Sequence, residues 1–150
     1  GGSANDANHI SGPSRTGEGS FIAIKKAISE SRIEPISIDY ISAHGTATDY
    51  NDEMESIAIS RAGLEEVPVN SFKGNWGHTL GAAGILEAII TLEAMRHGEV
   101  PGTLNCDEPE EDFAFRVTRE NVQKPIRYAM TNSFGFGGNN ATLAFGAAHD

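Results

Sequence analysis

An amine and an imidazole lie five residues apart in Lys73-Gly74-Asn75-Trp76-Gly77-His78, and the chain runs on through Thr79-Leu80-Gly81-Ala82-Ala83-Gly84-Ile85-Leu86 to a carboxylate, Glu87. A charge, a proton donor and an acid are thereby gathered where a strand hands over to a helix. Residues 80 to 95 are almost all apolar or small, which predicts a helix buried on nearly every side. A carboxylate inside such a run is unfavourable unless paired, and Lys73 is the nearest basic candidate. His78 is expected at the helix N-terminus, where the positive end of the dipole disfavours imidazolium. A neutral imidazole can donate a hydrogen bond to a carbonyl without carrying charge.

Two further polar clusters each follow a predicted strand. His44-Gly45-Thr46-Ala47-Thr48 comes after an isoleucine-rich run, and Gly135-Phe136-Gly137-Gly138-Asn139-Asn140 comes after Met130-Thr131-Asn132-Ser133. Singly, each has a plain structural explanation. A lone histidine is more often a hydrogen-bonded structural residue than a catalyst, and glycines in a row supply the positive φ of a turn. The Gly-rich stretch is no phosphate-binding Walker loop, because no Gly-Lys-Ser/Thr ends it. His9 and His149 carry no assigned chemistry, and His97 beside Gly98 reads as a contact at a helix C-terminus.

The elements that must position these residues follow from periodicity and breakers. Residues 1–19 are rich in Gly, Ser, Asn and Asp and read as an irregular loop. Phe21, Ile24, Ala27 and Ile28 recur at helical spacing, giving a helix to about Arg32 closed by Pro35. Residues 36–43 read as a strand, Asn51-Asp52-Glu53 opens a helix that stops at Gly63, and residues 67–71 form a short strand. The helix after Lys73 ends near His97-Gly98, an acidic loop covers 101–111, and strands follow at 113–117, 128–133 and 141–145. This order indicates an α/β sandwich with a mixed five-stranded sheet packed against helices. Ligands in open α/β sheets gather at strand ends, so parallel strands would bring His44, His78 and the Phe136 backbone to one edge.

The totals limit the possible roles. A chain of 150 residues is about one domain. With 11 basic and 21 acidic side chains its formal charge is −10, without the basic footprint of a nucleic-acid binder. No uncharged run reaches the length of about 20 residues needed to span a bilayer, and no opening stretch reads as a signal peptide, so a cytoplasmic protein without membrane association is expected. The single cysteine, Cys106, excludes an internal disulfide.

At His44-Gly45-Thr46-Ala47-Thr48, at Lys73, Gly77-His78 and Gly81–Gly84, and at Asn132-Ser133-Phe134-Gly135-Phe136-Gly137-Gly138, the chain closely resembles the C-terminal half of β-ketoacyl-[acyl-carrier-protein] synthases. Three motifs in order, over nearly all 150 residues, make the resemblance specific. It implies one of the two pseudo-duplicated halves of the thiolase fold, with residues 1–150 as the C-terminal domain. It also implies decarboxylative condensation of an acyl thioester with malonyl-acyl carrier protein in fatty-acid or polyketide synthesis. Under that resemblance His44 and His78 hydrogen-bond the malonyl thioester carbonyl, Lys73 holds Glu87 and shapes the pocket's field, and Phe136 is the gating residue whose N–H joins the oxyanion hole. Thr46 and Thr48 match contacts to the phosphopantetheine arm. Glu55, Glu87, Thr131 and Asn132 match positions around a buried monovalent cation in some members. No dissociable cofactor is implied; the partners implied are acyl carrier protein, the missing N-terminal half and, at full length, a second subunit in a homodimer or heterodimer.

The departures are as informative. The family's nucleophilic cysteine belongs to the N-terminal half, and Cys106 lies in an acidic loop beside Asp107 and Glu108, a setting that does not activate a thiol. The 150-residue chain alone is therefore expected to be inactive. Ser42 stands where the family often has Asn, Asp49 where Pro is frequent, and Trp76 where a smaller residue is usual; Trp76 either narrows the pocket or packs beside His78. Alternatives are a thiolase, disfavoured because no cysteine precedes the Gly-rich turn, a non-catalytic partner subunit resembling chain-length factors, and a metal hydrolase built from His44, Asp49, Asp52 and His78.

Overall fold

The computed structural model describes residues 1–6, 14–108 and 113–148; His9, His149 and residues 109–111 of the expected acidic loop lie outside the described residues. The elements are β1 (Gly2–Asn5), α1 (Glu18–Ser31), β2 (Tyr40–Ser42), α2 (Asp49–Arg61), β3 (Pro68–Asn70), α3 (Lys73–Trp76), α4 (Ala83–His97), β4 (Glu99–Val100), β5 (Arg116–Val117), β6 (Val122–Gln123), β7 (Tyr128–Gly135) and β8 (Asn139–Gly146). Short 3-10 turns occupy Pro35–Ser37 and Leu80–Ala82.

One mixed sheet has the order β1-β8-β7-β2-β3-β5, and β4 pairs with β6 in a separate ladder. β2 runs parallel to both β7 and β3, and β3 is parallel to β5, while β1, β8 and β7 are antiparallel neighbours. The C-terminal ends of β2, β3 and β7 consequently point to one edge, carrying His44, Lys73 and the Gly-rich turn with them. The sheet has six strands rather than the five expected. The added one is β1, which the composition Gly-Ser-Ala-Asn gave no reason to read as a strand; its order comes from pairing with β8 and from packing against α1.

Strand alternation divides the interior into two layers. Ile41, Met130 and Val69 face α1 and α2, where they pack on Ile24, Ala27, Ile28, Ala58 and Ile59. Tyr40 and Ala129, one residue out of phase, meet Ala94, Val100 and Ile126 on the α4 side. Glu87, Ala88, Thr91 and Ala94 form the buried stripe of α4 at a spacing of three to four residues, small enough to let the helix lie close on the sheet. The expectation of a helix buried on nearly every side is corrected here: Ile85, Leu86, Ile89 and Leu92 are exposed, Ile85 to 61%. The helix is apolar all round, but this chain covers only one of its faces.

Smaller differences have local causes. Pro35 starts a 3-10 turn, so only Tyr40–Ser42 of the predicted 36–43 strand joins the ladder. α2 begins at Asp49 with Thr48 in the N-cap position rather than at Asn51, whose side chain is buried and donates to Asp52 Oδ1. The 113–117 strand contracts to Arg116–Val117, while Phe113 and Phe115 stack on each other with centroids 5.3 Å apart. α1 and α4 both end on left-handed residues, Arg32 and Gly98, whose N–H groups bond back to carbonyls of the last turn.

Candidate active site

His44 leaves the end of β2 with its backbone clamped. Its N–H donates to Glu55 Oε1 at 3.0 Å and the Gly45 N–H donates to Oε2 of the same carboxylate at 2.9 Å. Gly45 has φ +42°, and a Cβ there would lie 2.6 Å from Cβ of Ser71, whose hydroxyl donates to Gly45 O at 2.7 Å. Glu55 is fully buried; desolvation pushes its pKa up to about 7 against the opposing pull of the Gly45 and His44 N–H groups and the Asn132 amide. Asn132 Nδ2 donates to Glu55 at 3.1 Å and Asn132 Oδ1 accepts from Thr142 Oγ1 at 2.8 Å.

Lys73 enters from α3, just past the end of β3. Its ammonium donates to Glu87 Oε1 at 2.5 Å, in a pair whose two side chains are almost fully buried, and also to the His44 carbonyl. The pairing expected for Glu87 is present. Burial raises the Glu87 pKa and Lys73 opposes that rise. Lys73 Nζ lies 3.4 Å from His44 Nδ1. An ammonium can only donate, so Nδ1 of His44 accepts and its ring proton resides on Nε2. Burial, then Lys73, then His78 push the His44 pKa down to about 3.

The His78 and His44 rings meet in a T-shaped arrangement, with centroids 5.3 Å apart and planes at 82°. Its Nδ1 accepts the Leu80 N–H at 3.2 Å, which again places the proton on Nε2. The donor comes from the 3-10 turn rather than from α4, which begins only at Ala83, so the helix-terminal position predicted for His78 is taken up by that turn. Desolvation, followed by Lys73, lowers the His78 pKa. Two neutral imidazoles, each with a fixed Nε2–H, thus stand side by side at the strand ends.

The other predicted residues distribute as follows. Phe136 is 75% exposed at the tip of the turn joining β7 to β8. Asparagine amides hold the carbonyls of this turn: Asn139 donates to Phe136 O at 3.1 Å, Asn5 to Gly137 O at 2.9 Å and Asn140 to Gly138 O at 2.8 Å. Thr46 and Thr48 bond to each other through their hydroxyls at 2.7 Å on the exposed side of the His44 loop. Trp76 stacks on Phe72 at 5.4 Å with planes 11° apart, so it packs on a different partner from the expected His78, and it is not among the residues bounding the cavity beside His44. A cavity of about 590 Å³ opens beside His44, bounded by Leu80, Gly84, Phe134, Gly135 and Asn139. Leu80 adopts φ +52°, a left-handed conformation unusual for leucine.

Sequence reasoning missed two features. The Phe134 ring lies 5.3 Å from the His44 ring, whereas Phe136, two residues on, is exposed at the turn tip. The asparagine set around the turn was also unread, although the Asn139-Asn140 pair directly after the glycines was a visible sign. Of the cation candidates, Glu55 and Asn132 bond to each other, whereas Glu87 is held by Lys73. Alternation along β7 sends Thr131 to the α4 face with its ladder partner Ser42 and Asn132 to the α2 face. Glu87 Oε2, Thr131 Oγ1 and Ser42 Oγ are buried without a hydrogen-bond partner among the described residues. Asp52, by contrast, accepts the Thr46 N–H at 3.1 Å, and among the described residues no three His, Cys, Asp or Glu side chains gather as a metal-ligand set.

The geometry can be placed beside known proteins. Residues 1–107 match the family described as Beta-ketoacyl synthase, C-terminal domain. The mitochondrial 3-oxoacyl-[acyl-carrier-protein] synthase of Arabidopsis thaliana is 41% identical over 151 residues, covering 96% of this chain and 33% of the relative. Among solved structures, the ishigamide ketosynthase/chain length factor superposes with a TM-score of 0.92 at 36% identity, over 99% of this chain and 37% of that one. A type II PKS acyl-carrier protein in complex with its ketosynthase bound to the hexaketide gives a TM-score of 0.93 at 30% identity, over 99% and 37%. The chain spans about a third of the length of these relatives. Within that third the fold is thiolase-like, and the chain belongs to the β-ketoacyl synthase family, whose C-terminal domain it carries.

Proposed function

We propose that this chain supplies the decarboxylating half of a condensing site that joins an acyl thioester to malonyl-acyl carrier protein in fatty-acid or polyketide synthesis. The observation that carries this reading is the pair His44 and His78, edge to face at 5.3 Å, with Nδ1 of each ring occupied so that both offer Nε2–H. Two such donors suit one thioester carbonyl oxygen. The bond between the malonyl α-carbon and its carboxylate breaks and CO₂ departs. The electron pair forms the enolate C=C, and the carbonyl oxygen takes up negative charge between the two N–H groups. Lys73, fixed by Glu87, adds positive potential behind the pair. The enolate carbon then attacks an acyl group held as a thioester on a cysteine outside this chain, forming the new C–C bond and expelling the thiolate. Phe136 gates the approach of the acyl chain, its N–H joins the oxyanion hole for that second step, and Thr46 and Thr48 contact the phosphopantetheine arm.

A buried monovalent cation is consistent with the same layer, because Glu87 Oε2 and Thr131 Oγ1 are buried oxygens in want of a partner. Glu55 and Asn132 lie on the other face of the sheet, engaged with the His44 and Gly45 N–H groups and with Thr142, and stand outside that set; an ion on the Glu87 and Thr131 face would supply fixed positive charge there. Cys106 does not border the cavity beside His44 and does not act as the nucleophile. The exposed aliphatic face of α4 is covered, in the complete synthase, by the half that brings the nucleophile, and the full protein works as a dimer with acyl carrier protein as its partner.

The test is a pair of assays with malonyl- and acyl-carrier protein. The complete synthase should release CO₂ and form ketoacyl product, losing at least about 100-fold in CO₂ release on His44→Ala or His78→Ala, while residues 1–150 alone form no ketoacyl product. Ketoacyl product from the isolated chain, or full CO₂ release without either histidine, contradicts the assignment. A second reading, a partner subunit without catalysis of its own, is favoured by the likeness to the ishigamide ketosynthase/chain length factor. It predicts no CO₂ release by the complete protein unless a separate ketosynthase is added.

A further inference from the structure

Strand β5 is the last in the sheet and has β3 as its single neighbour among the described residues. Its ladder with β3 pairs Val69 with Val117, and the Thr118 N–H donates to Val69 O at 2.7 Å. In a parallel ladder the residue facing the bonded one directs its own N–H and C=O to the other side. The Val117 N–H and C=O therefore point away from β3, and no backbone bond outside the ladders engages them among the described residues.

This free edge opens on a groove of about 580 Å³ between β5 and the β4–β6 ladder. Pro68 and the 46%-exposed Val122 are its accessible apolar residues, over the buried Val100, while alternation turns the Val117 side chain to the α2 face with Val69 and leaves its backbone at the groove. Arg116 and Arg119 also line it; both are exposed, and neither has an ion pair or side-chain hydrogen bond among the described residues. Lys124, a third cation of the lining, is already engaged with the Asp39 carbonyl at 3.2 Å and its carboxylate at 3.5 Å. Two uncommitted guanidiniums beside an uncommitted strand edge, on a chain of net charge −10, form a local exception in need of a partner.

We propose that this groove binds an extended acidic peptide segment of a partner protein, which adds to the free edge of β5 as a further strand. The Val117 N–H and C=O supply the main-chain bonds, Arg116 and Arg119 meet carboxylates on the peptide, and Pro68 and Val122 receive its aliphatic side chains. Glu66 and Glu120 share the lining and repel a continuous polyanion, so nucleic acid and polyphosphate fit poorly whereas spaced acidic residues fit well.

The surface is separate from the histidine pair and stands whether or not the condensing assignment holds. The probe is a blocked peptide of alternating valine with aspartate or glutamate, titrated into the ¹⁵N-labelled protein. Saturable shifts centred on Val117, Arg119 and Val122 are expected. Affinity should fall at least about tenfold in Arg116→Glu/Arg119→Glu and fall as salt is raised to about 1 M, and it should vanish when alternate peptide amides are N-methylated. The methylated peptide tests the edge bond without altering the protein. No saturation at about 1 mM peptide, or binding indifferent to charge reversal and N-methylation, overturns the proposal. So does wild-type protein that binds nothing while the double variant aggregates, since the arginines would then merely guard an open edge.

Discussion

Nδ1 of His44 lies 3.4 Å from the Lys73 ammonium, and this contact decides which nitrogen of the ring carries the proton. Lys73→Met should remove that constraint and relieve one of the three causes that depress the His44 pKa. In ¹⁵N imidazole spectra, wild-type His44 should remain the neutral Nε2–H tautomer as pH falls to about 4, with its pKa at about 3. The methionine variant should protonate at a higher pH and populate both tautomers. A ring that already titrates near 6.5 in the wild type contradicts the burial argument.

The same depression makes stability depend on pH with a definite sign. In the unfolded chain the His44 ring binds its proton near 6.5, and in the fold only near 3. Stability associated with the neutral ring is therefore complete above pH 6.5 and lost as pH falls toward 3, with a limiting slope of about 1.4 kcal/mol per pH unit. Urea unfolding of wild type and His44→Gln between pH 4 and 7 should converge at the acid end, by an amount that other carboxylates common to both proteins do not share.

Glu55 works in the opposite direction. Its folded pKa of about 7 exceeds the ordinary glutamate value of 4.5, so its contribution is fully present below 4.5 and lost as pH rises through 7. Glu55→Gln should flatten this decline. It should also lower stability at pH 5 by about 1–3 kcal/mol, because the amide cannot accept the His44 and Gly45 N–H groups through both of its ends.

Breaking the Lys73–Glu87 pair from one side should be far worse than replacing both members. Lys73→Met leaves a buried carboxylate that already has one unpartnered oxygen, at a loss of about 3–5 kcal/mol in urea unfolding. Lys73→Met/Glu87→Leu should recover most of that loss without recovering the CO₂ release proposed for the complete synthase. Equal losses in the single and double variants would show that packing rather than charge governs the site.

Asn139→Ala tests the turn that carries Phe136. The Asn139 amide bonds Phe136 O, and its own oxygen accepts from Asn5 at 3.2 Å. The site is exposed, so global stability should change by less than about 1 kcal/mol. Amide hydrogen exchange at 135–138 should nevertheless speed up at least about tenfold over the rest of β7 and β8, since the loss is local.

What the sequence made legible divides along physical lines. Strand ends were readable, because polar residues after short isoleucine- and valine-containing runs mark where a parallel sheet stops, and this located His44 and Lys73; the glycine turn was marked by its own glycines after residues 128–133. The Lys73–Glu87 pair followed from the penalty on an unpaired buried carboxylate. The covering of α4 was not readable: a helix apolar on all sides reports that both faces shun water, but not which molecule supplies the second cover. β1 was hidden because its side chains are small and its order is imposed by β8. Phe134 was passed over because local pattern distinguished a turn tip from its flank but gave no measure of distance to His44.

Leu80 holds φ +52°, a backbone state that Gly occupies freely and leucine does so at a penalty of about 1 kcal/mol. Its side chain is 70% exposed at the cavity wall, so burial within this chain does not offset that penalty. Leu80→Gly should raise thermal stability slightly while leaving the cavity wider. The leucine thus marks a position where tolerance to substitution and thermal robustness favour different residues, and a screen for stability alone would select away the wall.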